Sequence, residues 1–426
     1  MKSRNIFLGL LYCMSVAFSC TYEQPEYNPI RKPGLDDEQQ NPFPTDPEEP
    51  KEDVDLNEWE LLWADEFAGT DADLDAAWNS ENGPAYHILC SRWRENAVIS
   101  NGTLKLVNKK ESRGGQDWTA ASLTSKTRFK YGYFECRYRY ANANAINNSF
   151  WLSTNVVEEG KKFEIDVNEG KYPNKIATNL WDNSANPHIG ASKTFFYGSE
   201  PGYSIQLETP ITTQRIRFSS NNSSYFHIRE FRLYNVLASY PDPLSETADR
   251  DVAGLQNFAT PATIRVSGSL NNTDPYSMVD GKITTSWISQ AEGEKWIEMN
   301  LVAPSKIGCI QFVNGWLDNG NWTGLISDYK LQYHDGNQWV DIATKNVEND
   351  FNFADEFHTY GLEWTKEYII YYFDRREIRR IENEFCYSEA PVILSSAIIS
   401  WDGPVTDAID GTQMEVDYVR VYKRKE

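Results

Sequence analysis

From Trp59 onward the chain is broken into short alternating runs by Gly, Asn, Asp and Pro, and long helical periodicity is hard to find. Runs of that kind form strands whose side chains face opposite sides of a sheet in turn. A chain built from them must stack its sheets into a sandwich or close them into a barrel. Aromatic residues make up 14% of the sequence, with 14 Trp and 24 Tyr. They supply both a β core and the broad aromatic surfaces that sugar-binding clefts use. The expected fold class is all-β, and 426 residues exceed one typical domain.

One of these runs carries chemistry. Phe163–Gly170 reads Phe-Glu-Ile-Asp-Val-Asn-Glu-Gly. In a regular strand Glu164 and Asp166 share a face and Glu169 points away from them. A one-residue β-bulge restores the parity and puts all three carboxyls in one row. Acids crowded in this way repel one another and raise at least one pKa. A glycosidase needs such an arrangement: an ionised nucleophile, a protonated acid, and a carboxyl between them that tunes the pair. The same three residues would mean nothing on a solvated strand face, so the surrounding sequence has to discriminate.

The acidic run sits between Tyr131–Tyr140 with Ser149–Leu152 on one side and Asn174–Asp182 on the other. With Leu62-Trp-Ala-Asp-Glu-Phe67, Asn101–Leu106, Phe357-His-Thr-Tyr-Gly-Leu-Glu-Trp364 and Glu415–Tyr422, in that order, the chain resembles glycoside hydrolase family 16. This is the laminarinase, agarase and carrageenase group. The resemblance implies a concanavalin-like β-jelly roll of two curved antiparallel sheets with a cleft along the concave face. It assigns Glu164 as nucleophile, Glu169 as acid/base and Asp166 as the carboxyl between them. The implied reaction is endo-acting, retaining cleavage of a β-linked polysaccharide of glucan or galactan type, with no cofactor for catalysis. The rival reading is an inactive surface lipoprotein that uses the cleft only to bind glycan.

Around the acids, Asn148, Trp151, Asn179 and Trp181 are the expected substrate contacts. His358 and Glu363-Trp364 match the family's core signature, and His188 lies in a Pro-containing loop beyond the acidic run. Laminarinases commonly place a methionine before the last glutamate, and Asn168 stands there instead. This departure weakens a β-1,3-glucan assignment and leaves a galactan or host glycan open. Members of the family also often carry a structural calcium, for which Glu66 and Asp417 stand at matching positions.

The family pattern stops near Tyr197 and resumes at Phe351. Between them, Tyr276–Trp287, Lys295–Leu301 and Ser327–Tyr333 resemble a discoidin or coagulation-factor type C (F5/8) module. Such modules are β-sandwiches that often bind carbohydrate at loop tips. In them the Asp-Gly…Thr-x-Trp stretch comes early and a strand like Arg215–Phe218 or Ile228–Tyr234 closes the domain. Here the closing strands come first, so the module is expected to be circularly permuted. Its two ends would then lie side by side, as an insertion requires. In that arrangement Glu230 approaches Asp280 and Thr285, where related modules often hold calcium through oxygen ligands.

The N-terminus is a targeting segment rather than fold. Lys2 and Arg4 precede the apolar stretch Ile6–Phe18, which is too short to span a bilayer, and Ala17-Phe18-Ser19-Cys20 forms a relaxed bacterial lipoprotein box. Cys20 is the expected lipidation site. The expected location is the bacterial cell envelope, on the outer-membrane surface, with plain secretion as the alternative. Residues 21–55 mix prolines with acids and form an extended tether.

The organisation expected is therefore a signal peptide over 1–20, a tether over 21–55, a jelly roll over 56–198 and 351–426, and the inserted module over 199–350. Of the remaining cysteines, Cys90, Cys136, Cys309 and Cys386 show no metal spacing. Buried free thiols are expected, with a Cys90–Cys136 or Cys136–Cys386 bridge as the alternative. A net charge of −21 argues against nucleic acid or anionic lipid surfaces as partners. Polysaccharide is the expected partner, and membrane contact only through the lipid.

Overall fold

The computed structural model describes residues 54–185, 189–222, 224–318 and 321–425. Among them are three large sheets built from antiparallel pairs. The first orders its strands 376–382, 368–373, 358–364, 132–139, 413–424, 103–107 and 97–100, with 59–65 also pairing to 413–424. The second runs 189–196, 175–182, 163–171, 146–154, 390–398, 122–129 and 78–80. The third runs 287–288, 227–234, 295–314, 202–220, 328–334 and 339–346, with 264–266 pairing to 295–314.

Alternation separates a packed face from an open one. On strand 146–154, Phe150 and Leu152 are fully buried, while Trp151 between them is half-buried. Phe163, Ile165 and Leu180 on neighbouring strands, with Phe134, Tyr138, Leu362 and Trp364 of the first sheet, are also buried. Each such side chain removed from water contributes roughly 1.5–3 kcal/mol. Contacts between the sheets confirm that they face one another: Trp364 lies edge-on to Phe163 with ring centroids 5.4 Å apart, and the Tyr371 hydroxyl donates to the Asn179 carbonyl at 2.9 Å.

The third sheet has its own core around Phe218, Phe231, Trp287, Phe312 and Leu331. Strand 202–220 precedes the type C signature in sequence but pairs with strand 295–314 and strand 328–334 from the later part. The sheet interrupts the other two in the chain and shares no strand with them. The junction is tight on the jelly-roll side, where Tyr197 packs against Phe353 and Phe373. The Val54 amide bonds the Arg375 carbonyl at 2.9 Å. Cys90, Cys136, Cys309 and Cys386 are all buried and free, so neither alternative bridge forms. Among the described residues no helix is long and apolar enough to cross a membrane. Cys20, the tether up to residue 53, and His188 lie outside the described residues.

Candidate active site

The acid strand is Phe163–Lys171, and its two neighbours show how the acids come to share a face. Against strand 146–154, Asp166 lies opposite Trp151 and Asn168 opposite Phe150, so Val167 has no partner. Against strand 175–182, Asp166 lies opposite Asn179 and Glu169 opposite Ala177, which again leaves one residue too many on the acid strand. This bulge brings Glu164, Asp166 and Glu169 to the open face. Ile165 and Asn168 point the other way and are fully buried.

The three carboxyls differ in depth. Asp166, in the middle, is 6% exposed. Burial, followed by the charges of Glu164 and Glu169, pushes its pKa well above the usual carboxylate range, against hydrogen bonds from Asn179 and Trp181. Burial and the Glu169 charge raise Glu164 to about 7, opposed by a bond from Asn183. Glu169 accepts amide N–H bonds from Asn147 at 2.5 Å and Asn179 at 2.9 Å. The same Asn179 nitrogen also donates to Asp166 at 2.9 Å, and so bridges the centre of the row to its end. Ser192, on the next strand, donates to the Asn179 carbonyl oxygen at 2.5 Å and fixes the orientation of that amide. Glu169 is thus the member of the row whose oxygens are both engaged by side-chain amides. Macroscopic titration of such a row belongs to the set, not to one member.

The expected contacts divide by parity. Trp181 lies opposite Glu164 and Asn179 opposite Asp166, so both face the acids. Trp181 also spreads over the adjacent strand at Gly190, where any β-carbon would collide with the indole. Trp151 lies opposite Asp166, and its indole N–H donates to Ser395 at 3.1 Å.

Asn148 is a correction. It is fully buried, and its side chain bonds the Ala141 amide at 2.9 Å and the Gly170 carbonyl at 3.0 Å. Three residues from Trp151, it has the wrong parity for the cleft. Asn147, two further from Ser149 on the correct face, is the residue that reaches Glu169. Counting back from Trp151 in twos would have found it. Ser192 left no such signal, because it acts through a strand pairing that the sequence does not display, and Asn183 lies in the turn just past strand 175–182.

Asn168 also lies away from the cleft. Its amide donates to the Tyr138 and Tyr140 hydroxyls at 2.7 and 2.9 Å inside the core. It is fully buried there and makes no contact with the open face. His358 is held by Asp374 at 2.8 Å among aromatic rings, and Trp364 is fully buried, so both are packing residues here.

The oxygen pairs expected to hold calcium have other partners. Glu66 is bidentate to Arg420 at 2.8 and 2.9 Å, and Asp417 pairs with Arg137 at 2.5 Å. Each carboxylate is neutralised by its own guanidinium, so the two form no shared oxygen cage. In the third sheet the structure does bring Glu230, Asp280 and Thr285 together. Glu230 accepts the Gly281 and Lys282 amides at 2.7 and 2.9 Å and lies 3.3 Å from Arg232, while Asp280 accepts the Thr285 hydroxyl at 2.9 Å. Backbone N–H groups and an arginine thus fill the Glu230 oxygens. Among the described residues no group of three or more His, Cys, Asp or Glu could hold a metal.

Residues 87–201 and 327–420 match the family model "Glycosyl hydrolases family 16", and residues 263–363 match "F5/8 type C domain". The chain carries a glycosyl hydrolase family 16 domain and a type C module. The two matches overlap at 327–363, and the sheets resolve the overlap: strands 328–334 and 339–346 belong to the third sheet, and strand 358–364 to the jelly roll. The family 16 domain is similar to the endo-1,3-1,4-beta-glycanase ExsH of Rhizobium meliloti (strain 1021), 27% identical over 177 residues, covering 38% of this chain and 37% of that protein. It is also similar to the clotting factor G alpha subunit of Tachypleus tridentatus, 34% identical over 125 residues, covering 27% of this chain and 18% of that one. The chain thus spans well under half the length of these relatives. Among solved structures, the laminarinase catalytic domain of Thermotoga maritima MSB8 aligns at 16% identity with a TM-score of 0.46, covering 87% of this chain and 100% of that one.

Proposed function

We propose that the family 16 domain is a retaining, endo-acting glycoside hydrolase that cleaves a β-linked glucan by double displacement. The observation that carries this reading is the bulged row of Glu164, Asp166 and Glu169 on one open face. Its central member is buried, and its end is held by two side-chain amides. Glu164 attacks the anomeric carbon as its carboxylate, and the glycosidic oxygen leaves with a proton from Glu169. Water activated by Glu169 then hydrolyses the glycosyl-enzyme. Asp166, whose pKa burial raises, lies between the two glutamates and keeps their pKa values apart. The preference for glucan over galactan rests on a further relative, the glucan endo-1,3-beta-glucosidase of Cryptopygus antarcticus, 26% identical over 156 residues.

The test incubates the mature protein with laminarin, mixed-linkage β-1,3-1,4-glucan, agarose and carrageenan. Product sizes are followed by chromatography, and the first product anomer by proton NMR. Internal cleavage of a glucan with retained β configuration is expected. First-formed α anomer would sink double displacement, and release from agarose or carrageenan alone would sink the glucan reading. The same proposal includes attachment through Cys20 to the cell envelope, suggested by the Ala17–Cys20 box and the acid- and proline-rich stretch after it. Cys20→Ala should move the protein from the membrane fraction to the soluble one, and unchanged partition would refute the anchor.

A further inference from the structure

The Asn179 nitrogen spends one hydrogen on Asp166 and the other on Glu169, each at 2.9 Å. Only its carbonyl oxygen is left to hold the amide in place. The residue is 3% exposed, so that oxygen needs a donor. The donor is Ser192, whose hydroxyl lies 2.5 Å away. Strand register explains the match. Asn179 lies directly opposite Ser192, and Trp181 directly opposite Gly190. Opposed residues share a face with β-carbons about 5 Å apart, within reach of a serine hydroxyl for an asparagine oxygen. Gly190 leaves room for the Trp181 indole, whose N–H is the second donor to Asp166. The edge strand 189–196 therefore supports both donors of the central acid. Ser192 itself is exposed, so its side chain is not part of the core.

The charged groups around this amide are mostly engaged elsewhere. On its own strand Lys175 pairs with Asp402, and Asp182 pairs with Lys161. Lys171 ends the acid strand beyond Glu169, and strand 146–154 carries no ionisable side chain. On the edge strand Lys193 lies on the opposite face from Ser192, 5.1 Å from the Phe195 ring. Behind the sheet Arg379 donates to the Thr178 carbonyl at 2.6 Å, and the Tyr371 hydroxyl to the Asn179 backbone carbonyl. The donors that reach the row are Asn147, Asn179, Trp181 and Asn183, all of them neutral.

We propose that Ser192 is a positioning residue for the reaction: its hydroxyl holds Asn179 in the one orientation in which a single nitrogen ties Asp166 to Glu169. The inference rests on the glycosidase reading above and names a residue that acts on the acids without touching them. An N–H donated to a carboxyl favours its ionised form. With the hydroxyl removed, the amide can turn its oxygen toward the row and accept from a protonated acid. The contact then favours the neutral form, which is the opposite bias. Because the row titrates as a set, the whole pH profile moves to higher pH.

The test compares Ser192→Ala, Ser192→Thr and the unaltered protein on whichever of the four polysaccharides above the unaltered protein hydrolyses. Both kcat and KM are measured across about pH 4 to 9. Ser192→Ala should lower kcat about fivefold at the optimum and leave KM within about twofold. It should also move both limbs of the kcat/KM profile upward by roughly half a pH unit or more. Ser192→Thr keeps the hydroxyl and suits a strand, so it should restore the rate and both limbs. Unmoved limbs in the alanine variant, whatever its rate, would reduce Ser192 to a structural residue and overturn the proposal. A threonine variant that behaves like the alanine one would overturn it too, and either result leaves the glycosidase reading intact. If the unaltered protein hydrolyses none of the four, the glycosidase reading fails and this inference fails with it.

Discussion

Glu164 in the cleft and Glu230 in the module are both shifted upward to about 7, with burial as the first cause in each case. Their surroundings differ. Glu164 faces two more carboxyls on an open surface, whereas Glu230 is 1% exposed and saturated by two backbone amides and Arg232. A raised pKa therefore marks desolvation, and only the neighbours decide what it is for. Where they are other acids facing a cleft, the shift serves proton transfer. Where they are donors that close off every oxygen, it serves to lock a loop.

The largest expected effect separates the two directly. On a confirmed substrate, Glu164→Gln and Glu169→Gln should each lower turnover by at least roughly a thousandfold, because a covalent or proton-transfer role is lost. Glu230→Ala should leave turnover on the same substrate within twofold. It should cost about 2 kcal/mol of stability, visible as a lower melting temperature, because Arg232 and two amides lose their acceptor. If Glu230→Ala abolished turnover without unfolding, the contrast between the regions would collapse.

A smaller effect follows from linkage. The Glu164 pKa rises from 4.5 to about 7 on folding, so the folded state retains a proton that the unfolded chain releases. Its contribution is fully favourable below about 4.5 and is lost as pH rises toward 7. Glu164→Gln should therefore gain stability over the parent at pH 8 relative to pH 4, by about 2 kcal/mol after allowance for solvent screening. Equal differences at the two pH values in urea titrations would show that the cleft does not desolvate Glu164.

The smallest effect tests parity. Asn147→Ala should lower turnover about tenfold with little change in stability, because it removes one donor to Glu169. Asn148→Ala should do the reverse, destabilising the fold and sparing chemistry in the molecules that remain folded. Turnover losses of the same size for both would contradict the face assignments.

Much of this could be read in the sequence because side-chain alternation is local. The spacing of Glu164, Asp166 and Glu169 required a bulge, and the strand pairs place one there. The same rule, applied to strand 146–154, would have rejected Asn148, since it cannot share a face with Trp151. What stayed hidden depends on partners distant in the chain. Ser192 acts through Asn179 across a strand pair, and Arg137 and Arg420 take the carboxylates of Asp417 and Glu66. No window of sequence shows which cation will meet which acid when the two lie hundreds of residues apart.

Strand Ala390–Ile398 lies between strands 146–154 and 122–129, in the middle of the sheet that carries the acids. Everything needed for the chemistry is synthesised by residue 192, yet that sheet stays split until nearly the whole chain has left the ribosome. The module, whose strands end at Asn346, is complete before then and can fold first as a unit. The acid-bearing sheet therefore has all its strands available only after the module has all of its own. Its folding rate is set by pairings of very long sequence separation, and a chain truncated between residues 192 and 390 would carry all three acids without a complete sheet to hold them.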